Sequence, residues 1–251
     1  MTSLDDQQIY DAGGALANSQ QLYAVALRQT MRQAAKWLDL GCGHQFLPDW
    51  IPEPLQILPA GNQFVVGIDL DQGALRAHPY LELRIVGSIE ALPVAGDSFD
   101  VVTANMVVEH VQRPDLLFQE VHRVLKPGGV FLVHTPNRSG YTTTLTRAIP
   151  PRWRPALANV LQGRDERDVY PTFYRANTIR ALRDIAERHA FVVTDLQTIG
   201  SSPQLYRVPV ARNIEAFCLR LFRAKPLARF RPCILARFSK ASTRGTELKR
   251  R

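Results

Sequence analysis

The stretch WLDLGCGHQ, Trp37 to Gln45, sets an acid, Asp39, two residues ahead of a paired-glycine turn, Gly41-Cys42-Gly43. Glycines there allow positive φ and close backbone approach, so their peptide N–H groups can face the polar head of a ligand. A second acid, Asp69, closes the apolar run QFVVGIDLD. A carboxylate at the end of a second strand can accept both hydroxyls of a ribose. The two features point to an adenosine-bearing ligand, which dinucleotide and sulfonium cofactors both supply. A dinucleotide site needs GxGxxG, so that a helix N-terminus receives the pyrophosphate. Here the run reads Gly41-Cys42-Gly43-His44-Gln45-Phe46, with Pro48 close behind. The third glycine is absent, and a phosphate-free cofactor fits better.

Those residues need strands to end at one place. KWLDL and QFVVGIDLD read as two buried parallel strands. Residues 16–35, free of proline and glycine, read as an amphipathic helix leading into the first. Between the strands, FLPDWIPEPLQILPAGNQ holds four prolines and predicts an irregular crossover. A third strand is expected near Leu83–Val86 and a fourth near Val101–Ala104, with Asp100 at its start. Leu116, Leu117, Val121, Val124 and Leu125 mark a helix that begins after Pro114 and stops at Lys126-Pro127-Gly128-Gly129; VFLVHT follows as the fifth strand. Farther on, Asn177 or Thr178 can cap a helix lined by Ile179, Leu182, Ile185 and Ala186. Phe191–Leu196 reads as strand, residues 213–224 as a basic amphipathic helix, and Ile234–Phe238 as a last strand. Such alternation predicts an α/β fold: a mostly parallel, Rossmann-like sheet with helices on both faces, plus a basic insertion and C-terminal extension.

At 251 residues, one domain is expected. Hydrophobic content of 45% with 22% charged residues argues against disorder, and no run is long enough to span a bilayer. The N-terminal residues do not resemble a secretory leader, so a cytoplasmic location is the default. Cys42, Cys218 and Cys233 cannot pair fully and show no metal-ligand spacing, so no metal site is expected. The charge is divided. Residues 1–137 hold 8 Lys+Arg against 15 Asp+Glu, net −7, whereas residues 138–251 hold 23 against 8, net +15. The second part is therefore expected to meet something anionic: a substrate group, a membrane surface or nucleic acid.

With LDLGCG, VVGIDLD, GSIEALPVAGDSFDVVTANMVVEHV and LKPGGVFLVHTPN in this order over residues 36–137, the chain resembles a class I S-adenosylmethionine-dependent methyltransferase, of the broad type 11 group that includes ubiquinone-biosynthesis enzymes. The resemblance implies S-adenosylmethionine as cofactor and a Rossmann-like sheet of seven strands. It assigns Asp39, Gly41, Cys42 and Gly43 to the methionine part, Asp69 to the ribose, Leu70 to the adenine face, and Ser88 and Ile89 to the adenine edge. Asn105 would lie near the methionine carboxylate or amine. Glu109 and His110 would stand at the edge of the acceptor pocket, as the catalytic candidates. Two departures are visible: Ser88 stands where the family usually has aspartate, and His44-Gln45 where a small residue and a glycine are usual. The expected division is a single domain over 1–251, with the cofactor core at 16–137, an insertion or substrate lid at 138–176, and the rest of the sheet with the basic helix at 177–240. Tyr141, Trp153, Tyr170, Phe173 and Tyr174 are candidates for the lid.

The chain NMVVEH follows the fourth strand, in place of the Asn/Asp-Pro-Pro-aromatic stretch of DNA adenine methylation or a Pro-Cys pair. A small-molecule or lipid-like acceptor is expected, and nucleic acid is disfavoured. FCLRLFRAKPLARF alternates apolar and basic residues as an interfacial helix does, which suggests peripheral contact with an anionic membrane. Two other readings compete: a nicotinamide oxidoreductase, which lacks its third glycine here, and a non-catalytic protein of the same fold that binds an anionic partner through the basic segment.

Overall fold

The computed structural model describes residues 18–51, 63–149, 171–203 and 209–242. Seven strands form one sheet: β1 (Lys36–Leu40), β2 (Phe64–Asp69), β3 (Leu83–Val86), β4 (Phe99–Asn105), β5 (Leu125–Pro136), β6 (Phe191–Ile199) and β7 (Cys233–Lys240). Their order is β3-β2-β1-β4-β5-β7-β6, with β7 antiparallel to both neighbours and the others parallel. The helices are α1 (Ser19–Met31), α2 (Gln72–Ala77), α3 (Pro114–Val124), α4 (Tyr141–Ala148), α5 (Ile179–Arg188) and α6 (Pro209–Leu221).

Strand alternation builds two cores, one on each face. Leu38, Leu40, Val66, Val102, Phe131, Val133 and Phe238 pack with Leu117, Phe118, Val121 of α3 and Leu182, Ile185 of α5. On the other face Trp37, Val65, Val101, Leu132 and Leu235 pack with Leu22, Tyr23, Ala26 and Leu27 of α1. The helix ends follow capping chemistry. Asn18 and Gln21 form a capping box at α1, and Pro114 opens α3 with Asp115 in its first turn. Thr178, one of the two expected caps, accepts the Ala181 N–H at 3.1 Å above α5. Asn177 is buried instead and donates to Thr135 Oγ1 at 2.6 Å.

Several boundaries differ from expectation. Helix α1 is shorter than 16–35, ending at Met31. Strand β5 starts at Leu125, because Leu125 leaves the helix in extended geometry and pairs with Phe99; a register shift between Phe99 and Val101 and a positive φ of 81° at Gly128 absorb the Lys126–Gly129 kink. The basic helix runs over Pro209–Leu221, and Lys225–Phe230 form a separate 3-10 helix. Asp100 is structural: its Oδ2 accepts the Ala35 and Lys36 N–H groups and its Oδ1 meets Lys126 Nζ at 2.6 Å. Helix α2, capped by Asp71, is an addition. Trp153, Tyr170 and most of the crossover prolines lie outside the described residues. Among the described residues no helix is long and apolar enough to cross a membrane.

Gly67 gives a first prediction. A Cβ there would sit 2.4 Å from Leu81 Cδ1 and 2.7 Å from Cys42 Sγ. Gly67→Ala overpacks the centre of β2 and is expected to cost about 1–3 kcal/mol, read as a lowered thermal midpoint of unfolding; an unchanged midpoint would show that the Leu81 and Cys42 side chains yield freely.

Candidate functional site

The carboxyl ends of β1, β2 and β4 meet where the crossovers change side, the place at which doubly wound sheets hold ligands. Both glycines of the first turn take positive φ, 59° at Gly41 and 56° at Gly43. The amides are aimed differently from the expectation. Gly41 and Cys42 donate to Ile68 O at 2.7 and 3.3 Å, and Gly43 donates to Asp69 Oδ2 at 2.8 Å. The turn is thus sewn to β2, and its N–H groups are already engaged. Glycine at position 41 is also required sterically, since a Cβ would stand 2.6 Å from Val107 Cγ2 in the loop after β4. Above Gly43 the space is open, with nothing within 4 Å of a would-be Cβ. Cys42 is buried, and burial pushes its thiol far above the usual range, so it is a packing residue beneath the site.

Asp69 Oδ1 accepts the Asp71 N–H at 2.9 Å, so each oxygen of this half-buried carboxylate holds one backbone donor and retains capacity for another. Leu70, the next residue, is 73% exposed. Ser88 is exposed after β3, its Oγ accepting the Glu90 N–H at 3.2 Å, and Ile89 packs half-buried against the main core. The structure therefore brings Asp69, Leu70, Ser88 and Ile89 to the carboxyl ends of the paired strands β2 and β3, with Asp69 bound to the glycine turn.

On the α1 face lies a row of polar side chains beneath this ledge. Asp39 is buried, and Thr103 Oγ1 donates to its Oδ1 at 2.5 Å while accepting from Trp37 Nε1 at 2.7 Å. Burial raises the Asp39 carboxyl to about 7, against the lowering effect of the Thr103 hydrogen bond. Farther along, Asn105 Nδ2 donates to Gln20 Oε1 at 3.0 Å and its Oδ1 meets His134 Nδ1 at 2.8 Å. A carbonyl oxygen only accepts, so His134 carries its proton on Nδ1. Its Nε2 is buried without a partner among the described residues, its ring stacks on Tyr23 at 5.4 Å, and burial pulls its pKa down to about 3. His134 is a neutral structural ring. Gln20 and Tyr23 of α1 lie outside the sequence motifs, and Thr103 of β4 lies inside one without an assigned role; a polar residue near the start of α1 is a faint signal for Gln20 alone.

The Asp39 shift has a measurable sign. A carboxyl whose folded pKa exceeds its unfolded value favours the protonated folded state, so its contribution is fully present below about pH 4. It is lost as pH rises toward about 7. Asp39→Asn is expected to flatten that part of a stability-versus-pH curve from chemical unfolding; an unaltered slope would assign the titration elsewhere.

Glu109 and His110 belong to a 3-10 turn, Val108–His110, just beyond β4. Glu109 is buried; its Oε2 accepts from Thr135 Oγ1 at 2.9 Å, and its backbone O accepts the N–H groups of Phe173 and Tyr174. His110 Nδ1 lies 2.8 Å from Pro171 O, which must accept, so Nδ1 carries a proton, and Nε2 lies 3.8 Å from Glu109 Oε1. Of the expected lid aromatics, Phe173 and Tyr174 thus border Glu109. Tyr141 does not: its hydroxyl binds Glu215 of α6 at 2.5 Å. A cavity of about 770 Å³ opens between the start of α3 and α5, with Arg113, Arg138, Arg175 and Arg188 on its walls. It touches none of Asp39, Gly41, Gly43 or Asp69.

Fold and site together define a Rossmann-like protein with an open ledge at the carboxyl ends of β1 and β2. Residues 38–133 match the model of a family described as a methyltransferase domain. A demethylmenaquinone methyltransferase of Streptomyces avermitilis is 34% identical over 168 residues, 62% of this chain and 65% of that protein. A malonyl-[acyl-carrier protein] O-methyltransferase of Erwinia billingiae is 33% identical over 147 residues, 54% of this chain and 56% of that one. The chain spans less than two thirds of the length of either relative. Among solved structures, the [4+2]-cyclase SpnF superposes with a TM-score of 0.56 at 15% identity, over 89% of this chain and 81% of that one, a likeness of fold alone. Over residues 38–133 the chain is thus similar to methyltransferase domains, for which the sequence motifs imply S-adenosylmethionine as cofactor.

The residues present suit that domain's cofactor. The open space above Gly43 admits a ligand, Asp69 has lone pairs left for two hydroxyls, and Leu70 lacks an apolar cover.

Proposed function

We propose that the protein transfers a methyl group from S-adenosylmethionine to a small or lipid-like acceptor. Leu70 carries the reading: an apolar side chain left 73% exposed, one residue beyond a ribose-competent carboxylate, is what adenine would cover. The relatives' names lend a quinone-like or acyl-carrier-bound acceptor. The sheet itself lends no activity, since a cyclase shares it.

The bound cofactor supplies an activated methyl group on a sulfonium. This chain's residues hold and orient. Asp69 would accept the ribose hydroxyls, Leu70 would cover the adenine face, Ser88 and Ile89 would meet its edge, and Asn105 with the Gly41–Gly43 turn would border the amino-acid end. At the acceptor side, His110 Nε2 takes the proton that an attacking hydroxyl, phenol or amine must lose. Glu109 Oε1, 3.8 Å away, faces the resulting imidazolium, and Pro171 O keeps the ring in place. The segment 171–174 closes the acceptor side over Glu109. In-line displacement then needs only alignment and close approach.

Calorimetric titration with S-adenosylmethionine beside NADH tests the cofactor. Binding of the first and not the second is expected. Folded protein that binds neither would overturn the enzymatic reading in favour of a non-catalytic protein of this fold that holds an anionic partner.

A further inference from the structure

Helix α6 has its polarity turned inside out. Glu215 and Leu219 face inward, both buried, with Glu215 held by the Tyr141 hydroxyl of α4. Outward stand Val210 at 71% exposed, Ile214 and Phe217 at 61% each, and Leu221 at 46%. The spacing i, i+4, i+7, i+11 puts all four on one face. An apolar stripe of three turns left exposed in this way adds nothing to the packing of the described residues, and exposed apolar patches of this kind mark a contact surface.

Charge identifies the occupant. Over residues 209–242 the sole acidic residue is Glu215, which is buried, whereas Arg212, Arg220, Arg223, Lys225 and Arg229 are exposed. Of the remaining basic residues there, Arg231 is buried, donating to Phe222 O, Arg223 O and Thr198 O, Arg237 is buried, and Lys240 pairs with Asp97. Arg231 also fixes the chain that leaves α6, so the stripe is presented on a firm support. An outward apolar stripe flanked, within residues 209–242, by exposed cations and no exposed acid complements an anionic lipid surface, whose acyl boundary takes the apolar side chains while its headgroups meet the guanidinium and ammonium groups.

We propose that the outer face of α6 docks the protein on anionic membranes, with Val210, Ile214, Phe217 and Leu221 inserted at the headgroup boundary and Arg220, Arg223 and Lys225 on the phosphates. Together with the proposed lipid-like acceptor, this brings the enzyme to where such a molecule resides; the docking itself rests on α6 alone.

Flotation with vesicles of phosphatidylglycerol and phosphatidylcholine, beside vesicles of phosphatidylcholine alone, tests it without cofactor or acceptor. The protein is expected to float with the anionic vesicles and to remain below with the neutral ones. Ile214→Ser with Phe217→Ser should lower the bound fraction about tenfold or more, since two large apolar side chains lose their burial. Arg220→Glu with Lys225→Glu should abolish binding at low salt. All four positions are exposed, so folding is retained, and unchanged S-adenosylmethionine affinity by calorimetry keeps this result separate from the cofactor reading. Absence of flotation, or flotation indifferent to both double variants, overturns the proposal. So does a change in sedimentation from dimer to monomer in the serine variant, which would assign the stripe to a second copy of the chain.

Discussion

Asp69→Ala is expected to weaken S-adenosylmethionine binding about a hundredfold. The carboxylate ends β2 with one oxygen on the Gly43 N–H and the other on the Asp71 N–H, at 2.8 and 2.9 Å. Each oxygen has a further lone pair for a ribose hydroxyl, and a hydrogen bond to a charged group contributes about 1.5–3 kcal/mol. Removing both, and with them the tie that shapes the glycine turn, gives roughly two decades in affinity. Asp69→Asn separates the contributions. Its carbonyl oxygen accepts one donor while its NH2 opposes another, so an intermediate loss of roughly tenfold is expected. Calorimetry on both variants, with thermal melts to verify folding, reads the effect. Equal affinity in all three proteins would remove the ribose from Asp69.

The second large effect concerns the proton. His110→Ala is expected to reduce kcat by about a hundredfold, the lower end of what a positioned acid or base contributes, and to leave S-adenosylmethionine affinity unchanged. An imidazole with Pro171 O holding Nδ1 and Glu109 Oε1 3.8 Å from Nε2 is the geometry of an oriented base. The deficit should shrink as pH rises past the acceptor's own pKa, because an acceptor already ionised needs no base. A deficit constant with pH would make His110 a spacer that holds the 171–174 segment, and no deficit at all would remove it from the reaction.

The strands were legible because their signals are local. KWLDL and QFVVGID alternate between two buried faces and end on an acid and a glycine, so position and end were visible together. Helix α2 was not: with only Leu75 buried among six residues, it has no periodicity to detect. Strand β5 begins inside a Lys-Pro-Gly-Gly run that reads as a turn, and only pairing with β4 makes it extended. The network beneath the site was equally hidden, since Tyr23, Asp39, Thr103 and His134 meet only once α1 lies across three strands. Amphipathic spacing in α6 was visible, but a sequence pattern has no inside and outside. That Glu215 is buried and Phe217 exposed depends on Tyr141, more than seventy residues earlier.

The placement of β7 orders events during synthesis. It follows the other six described strands in the sequence, yet it sits between β5 and β6, pairing with both. Until residues 233–240 emerge, β5 presents an open edge beside the finished parallel strands and β6 has no neighbour at all. A nascent chain in that state carries unsatisfied strand edges on both β5 and β6. Premature termination before Cys233 therefore yields a sticky, chaperone-dependent fragment, although every residue assigned to the cofactor has already been made.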